Sequence, residues 1–269
     1  MDKKKIIIIL LLCTIILSSC TNPTQTNQPI IPNKTNITIQ NIQEPLSLHE
    51  NNITIYFLNI KGNSILITTP KNNSVLINAG EEGIDLIKKI NKIGLEKIDY
   101  LIITTSNKKY SGGIPYIILK YKPKVYTSGL LPLDQYTNIN ISLVSKDEFI
   151  TLDDGSIILY LAVPYDNGRG FSTNTGENTI VVELWFGSKK FLFMSDCEGS
   201  CEKTLNNDLS ENVEILFLSE SCKANSPDFL IKRNPKKIVY KEICDKDLIE
   251  VFSLESLKID NDYVFSFEG

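Results

Sequence analysis

The chain has 269 residues and a formal net charge of −4, with 42% hydrophobic and 22% charged residues, ordinary values for a soluble globular protein. Its length suffices for one large domain or two small ones with a sizeable core. The acidic balance works against non-specific grip on nucleic acid, which needs a basic surface; setting residues 1–19 aside sharpens it, leaving 25 basic residues against 31 acidic ones.

The first 19 residues read as a targeting segment. Lys3, Lys4 and Lys5 form a cationic start, and Ile6 to Leu17 is an apolar run of signal-peptide length. The run closes on Leu17-Ser18-Ser19-Cys20, which resembles a bacterial-type lipobox, with cleavage before Cys20 and a diacylglycerol on its thiol. An uncleaved anchor is the competing reading, but the run falls short of the ~20 apolar residues of a spanning helix. Both place the rest of the chain outside the cytoplasmic membrane, the first with a lipid anchor at Cys20. Residues 20–51 are rich in Thr, Asn, Gln and Pro, a composition that buries too little surface to repay ordering, and read as a flexible tether. The only histidine, His49, lies at its end.

Residues 52–269 read as one folded domain. Ile53 to Ile60, Ser64 to Thr68 and Ser74 to Ile77 are β-rich runs separated by turn signals. Ile84, Ile87, Ile90 and Ile93 form a helical stripe, and Gly94 is a helix stop. Tyr100 to Ile103 then predicts a buried strand that runs through a polar loop to Gly112-Gly113 and a helix from Ile114 to Tyr121. A strand end opening onto a helix N-terminus is where α/β folds commonly place their chemistry. After a short strand at Lys124–Tyr126, further strands are expected at Ile141–Val144, Ser156–Ala162, Thr179–Phe186, Lys190–Met194, Glu214–Leu218, Lys237–Tyr240 and Tyr263–Phe267. Helices are expected at Gly199–Asn207 and Pro227–Lys232, and a glycine-rich polar loop holding Arg169 joins Pro164 to Asn178. The pattern predicts an α/β fold, an αββα sandwich of two mixed β-sheets flanked by helices.

Several residue types carry candidate chemistry. Lys108 and Lys109, just before the glycine pair, could hold an anion; the plainer reading is an ordinary connection with solvated lysines. Asp153-Asp154 reads as a turn before a strand, Glu81-Glu82 as a helix start, and Trp185 as core or interface. The domain has no histidine, so no Ser/His/Asp set and no histidine-rich metal centre can be built within it. No P-loop or dinucleotide fingerprint is present. Cys197, Cys201, Cys222 and Cys244 are an even set in an oxidising compartment, which favours two disulfides with three possible pairings. A cysteine-rich zinc site and buried free thiols are the alternatives.

The motifs resemble the metallo-β-lactamase fold, and within it the extracytoplasmic hydrolase domain of the competence protein ComEC. Phe57-Leu58-Asn59-Ile60-Lys61-Gly62-Asn63 is similar to that family's first hairpin F-[IL]-D-V-G-x-G-D, and Leu76-Ile77-Asn78-Ala79-Gly80 to its L-I-D-x-G. Ile102 to Gly113 falls on the signature strand and loop [LI]-I-x-T-H-x-H-x-D-H-x-G-G; Asn178 to Val182 and Phe191 to Asp196 resemble its two later strand motifs. The resemblance spans about residues 53 to 267. It places Thr105, Asn107 and Tyr110 where the family has histidines and Lys109 where it has an aspartate, while Asp196 keeps its carboxylate. Glu220 and Cys222 fall near a later histidine motif, and Cys244 near a terminal one. Catalytic zinc needs about three His, Asp/Glu or Cys ligands, so the resemblance implies a degenerate member: a pseudoenzyme acting as a binding or scaffold module, with no catalytic residues and no cofactor. The alternative is a metal-dependent hydrolase, phosphodiesterase- or nuclease-like, rebuilt from Asp196, Glu220 and cysteines, with Asp196, Cys197, Cys222 and Cys244 as the zinc set. Partners implied are the membrane through the anchor and an envelope protein; nucleic acid fits the family but not the charge.

Overall fold

A computed structural model describes residues 38–41, 51–128, 139–144, 148–163, 179–218, 225–241 and 255–269, all in one compact unit. Expectations for residues 1–19, Cys20, His49, the loop with Arg169, Glu220, Cys222 and Cys244 lie outside them. The strands in chain order are β1 (Thr38–Asn41), β2 (Asn52–Phe57), β3 (Ile65–Thr68), β4 (Ser74–Ile77), β5 (Tyr100–Ile103), β6 (Lys124–Thr127) and β7 (Ile141–Leu143). They continue with β8 (Glu148–Leu152), β9 (Ile157–Ala162), β10 (Val181–Phe186), β11 (Lys189–Phe193), β12 (Ile215–Leu218), β13 (Lys237–Tyr240), β14 (Glu255–Lys258) and β15 (Tyr263–Glu268).

One sheet has the order β1-β15-β2-β3-β4-β5-β6-β7 and the other β14-β13-β12-β11-β10-β9-β8. Each begins as an antiparallel meander and turns parallel, at β4–β5 in the first and β11–β12 in the second. The interior parallel strands β5, β6, β12 and β13 are short and largely buried, as crossover topology demands, while the parallel edge strands β7 and β14 are not. Helices α1 (Gly83–Ile93), α2 (Lys108–Ser111) and α3 (Ile114–Tyr121) follow strands of the first sheet; α4 (Ser200–Leu205) and α5 (Pro227–Arg233) follow strands of the second.

Three apolar layers result. Between the sheets, Phe57 meets Phe217 and Phe265 at ring-centroid distances of 5.4 and 5.6 Å. Leu86, Ile90, Ile117 and Ile118 pack α1 and α3 onto the first sheet, and Leu205, Phe229 and Leu230 pack α4 and α5 onto the second. The expected αββα sandwich is therefore the observed architecture.

The differences from expectation fall at the edges. Four residues of the stretch read as a tether, Thr38–Asn41, pair antiparallel with β15. The strands β8 and β14, also not expected, are edge strands whose exposed charged and polar residues break the apolar pattern. α4 is shorter than expected at both ends, with Gly199, φ +52, as its N-cap and Asn206 as its C-cap. Gly94, with φ +85, ends α1 as expected, its N–H reaching the carbonyls of Asn91 and Ile90.

Candidate functional site

β5 lies between β4 and β6 and delivers its C-terminal end into the loop 104–107. Just beyond this loop three backbone segments, 62–63, 79–80 and 109–113, meet. Asn63 N–H donates to the Lys109 carbonyl at 2.8 Å, Ala79 N–H to that of Tyr110 at 2.7 Å, and Gly113 N–H to that of Gly80 at 3.0 Å. Two glycines are required by this closeness. A Cβ on Gly62, which has φ +82, would lie 2.0 Å from the Lys109 carbonyl oxygen, and one on Gly113 would lie 2.1 Å from that of Ala79. The glycine spacing visible in the sequence thus reflects a three-way backbone junction.

Beneath the junction is a buried polar network. The Asn78 Oδ1 accepts from the Thr104 N–H at 3.0 Å and from its hydroxyl at 2.8 Å. The Thr104 and Ser195 hydroxyls hydrogen-bond each other, joining the ends of β5 and β11 across the sandwich. Asn78 and Ser195 both hold positive φ, +64 and +53. The Ser64 hydroxyl donates to the Asn78 carbonyl at 3.0 Å. Asn63 is buried too, and its Nδ2 meets no acceptor among the described residues.

The positions singled out by the sequence converge here. Thr105 and Tyr110 are buried, 2% and 1% exposed. Asn107 caps α2, its side chain accepting from the Lys109 N–H at 3.1 Å, while its Nδ2 donates to Asp196 Oδ2 at 3.3 Å. That amide occupies one face of the retained carboxylate. Lys109 is half-buried, whereas the Lys108 side chain is 78% exposed and lies 3.5 Å from Glu81. Lys61 is 3.3 Å from the same carboxylate, and its hydrogen bond to Glu81 raises its ammonium pKa above the usual value. Lys61 and Lys108 therefore share Glu81 as a counter-ion. Glu81-Glu82 does lie at a helix start, with Glu82 at the N-cap of α1. Trp185 is half-buried on the outer face of the second sheet, 6.0 and 6.3 Å from Phe149 and Tyr160.

Cys197 and Cys201 form a disulfide across the start of α4, both under 2% exposed. This answers part of the pairing question and leaves no thiolate at Cys197, so the zinc set of Asp196, Cys197, Cys222 and Cys244 loses that ligand. Its neighbourhood holds groups that sequence reading missed. Glu202 is buried and accepts from Asn225 Nδ2 at 2.9 Å and from the Ser226 N–H and hydroxyl, tying α4 to the N-cap of α5. The Asn225 amide also donates to the Cys197 carbonyl at 3.4 Å. The signal that could have found part of it is Ser226-Pro227 at the helix start, a pair that suits a cap but says nothing of its carboxylate partner. Replacing Cys197 and Cys201 together with serine should lower unfolding free energy by about 2 kcal/mol, the chain-entropy value for so short a loop. Urea denaturation would read this, and an unchanged midpoint would refute a bracing role.

A catalytic zinc centre does not fit these side chains. The positions offer a threonine hydroxyl, a carboxamide already bonded at both ends, a phenol, an ammonium and one carboxylate, which lacks the imidazole, thiolate and carboxylate set that zinc takes. Among the described residues no group of three or more His, Cys, Asp or Glu could hold a metal ion.

No protein-family model matches the chain, and no curated protein matches it. Solved structures do. The chain is similar to the metallo-beta-lactamase fold protein YhfI from Bacillus subtilis, with a TM-score of 0.61 and 12% identity over 80% of this chain and 99% of that one. It is also similar to Igni18, a metallo hydrolase from the archaeon Ignicoccus hospitalis, with a TM-score of 0.58 and 12% identity over 80% and 99% of the two chains. A diphosphatase from the PhnP family gives a TM-score of 0.52 and 15% identity over 81% and 98%. The protein has the metallo-β-lactamase fold. At these identities the likeness is one of fold alone.

Proposed function

We propose that this protein is a lipid-anchored extracytoplasmic relative of the ComEC-type hydrolase domain that has lost its metal centre and acts as a binding or scaffold module. The observation that carries the reading is Asn107. It stands where the resemblance puts a histidine, and its amide is spent on capping α2 and on Asp196. A histidine-to-amide exchange of this kind turns a ligand position into an internal brace. The 31 acidic residues against 25 basic ones beyond residue 19 favour an envelope protein over nucleic acid as the partner.

The test is metal analysis of the purified full chain with thermal melts in chelator and in added zinc. The expected result is substoichiometric metal and the same melting temperature in both. Stoichiometric zinc, with a melting temperature that falls in chelator and hydrolysis of a phosphodiester substrate, would establish the rebuilt hydrolase through Asp196 and Glu220 instead. The anchor is tested separately by the intact mass, which should show cleavage before Cys20 and an added diacylglycerol.

A further inference from the structure

The outer face of the first helical layer does not look like the rest of the surface. Ile84, Tyr116 and Leu119 are 54%, 44% and 73% exposed, and they make up half of the large apolar side chains exposed among the described residues. They lie on two adjacent helices. A Cβ on Gly83 would meet the Tyr116 ring at 2.5 Å, so Tyr116 packs over the residue beside Ile84, and Lys120 bonds the Asn91 side chain further along. α1 and α3 therefore run side by side in the same direction. Their inner residues fill the core, and Ile84, Tyr116 and Leu119 are left as an outward ridge.

Lysines flank that ridge. Lys88, Lys120 and Lys122 are exposed. Lys88 pairs with Asp85 at 3.1 Å, but the partners of Lys120 are the Asn91 amide and, 4.8 Å away, the Tyr121 ring, neither of them negatively charged. The exposed carboxylates beside Ile84, Glu82 and Asp85, are each matched by a lysine, Lys61 and Lys88, so Lys120 and Lys122 give this face a small positive surplus on a chain of net charge −4. Apolar side chains between lysines match the interface of an anionic bilayer: the crest enters the headgroup–acyl boundary while the ammonium groups meet phosphates.

We propose that the α1–α3 face docks on an anionic phospholipid surface, with Ile84, Tyr116 and Leu119 inserted and Lys88, Lys120 and Lys122 on the headgroups. The proposal rests on the lipid-anchor reading for its geometry. Residues 20–37 would then tether β1 to the bilayer, and at full extension they reach roughly 60 Å, close enough for any face of the domain to turn to the membrane. The helices lie flat against the first sheet, so this is surface docking; among the described residues no helix is long and apolar enough to cross a membrane.

The experiment is hydrogen–deuterium exchange on the full chain reconstituted into phosphatidylcholine vesicles with and without phosphatidylglycerol. Peptides covering 83–93 and 114–122 should exchange on the order of tenfold more slowly in the anionic vesicles. The protection should vanish at high salt and in Ile84→Ser/Leu119→Ser, whose urea midpoint should match the parent because both side chains are exposed. Equal exchange in the two compositions, or protection unchanged in the variant, overturns the proposal. So does protection that appears only when envelope extract is added, since the face would then bind protein. The intact mass at Cys20 is read on the same sample, so failure of the anchor reading and failure of the docking face are separate results.

Discussion

Arg233→Ala should cost about 4 kcal/mol of unfolding free energy, a large share of the 5–15 kcal/mol a domain has. Arg233 is 0% exposed at the end of α5 and donates to the backbone carbonyls of Leu209, Ser210 and Asn206, the last at 2.7 Å, and to the Asn206 side chain at 3.1 Å. Its guanidinium also lies 5.1 Å from the centre of the Phe229 ring. Burial pulls its pKa below the usual value, and the carboxylates of Glu211, Glu183 and Glu202 oppose that pull. The planar fork serves several acceptors at once, which a lysine ammonium does not, so Arg233→Lys should recover only a minor part of the loss. Truncation instead leaves the carbonyls that follow α4 without a donor. Urea denaturation of both variants decides it: an alanine variant within 1 kcal/mol of the parent, or a lysine variant equal to it, would contradict the clamp.

Arg233 also marks where sequence reading stops. The helix Pro227–Lys232 was expected from the sequence, and an arginine in the last turn suits the helix dipole, but nothing local says that this one turns inward. The same division runs through the molecule. Buried strands such as Leu101–Ile103 announce themselves because apolar runs bounded by turns have few other uses. The edge strands β8 and β14 do not, since half their residues face solvent and read as loop. At the site, Gly62, Gly80, Gly112 and Gly113 kept a pattern that located the junction, because backbone contact at about 2–3 Å from a would-be Cβ admits no other residue. The roles of Asn107 and Asp196 needed three dimensions: they are 89 residues apart. The pairing of Cys197 with Cys201 was one of several left open by counting; the turn at residues 198–199 brings the first turn of α4 back to Cys197, with the two Cα atoms 5.3 Å apart.

The second large effect is expected at the far end of the sandwich from the candidate site. Asp153 is buried in the one-turn connection between β8 and β9. Its Oδ1 accepts from the Thr69 hydroxyl and the Asn73 Nδ2, both at 2.6 Å, and its Oδ2 from the Lys71 N–H at 2.9 Å. All three donors belong to the β3–β4 turn, so one carboxylate pins a turn of the first sheet to a turn of the second. Asp153 also holds φ +51, a conformation Asp and Asn tolerate and alanine resists. Asp153→Ala should therefore cost about 3 kcal/mol, from lost charge-assisted hydrogen bonds and added backbone strain. Asp153→Asn keeps φ and the acceptor facing Thr69 and Asn73 but turns an N–H toward the Lys71 N–H, so it should lose roughly half as much. This graded order, read by urea denaturation, separates the clamp from a mere turn preference: if only φ mattered, asparagine would match the parent. Neighbouring Asp154 provides the control. It is exposed, its contact with Lys71 is a surface ion pair, and it too holds a positive φ of +56, so Asp154→Asn, which tolerates that backbone, should change stability by less than about 1 kcal/mol. Equal losses at the two positions would show that the charge of the turn, and not the buried carboxylate, holds the sheets together at this end.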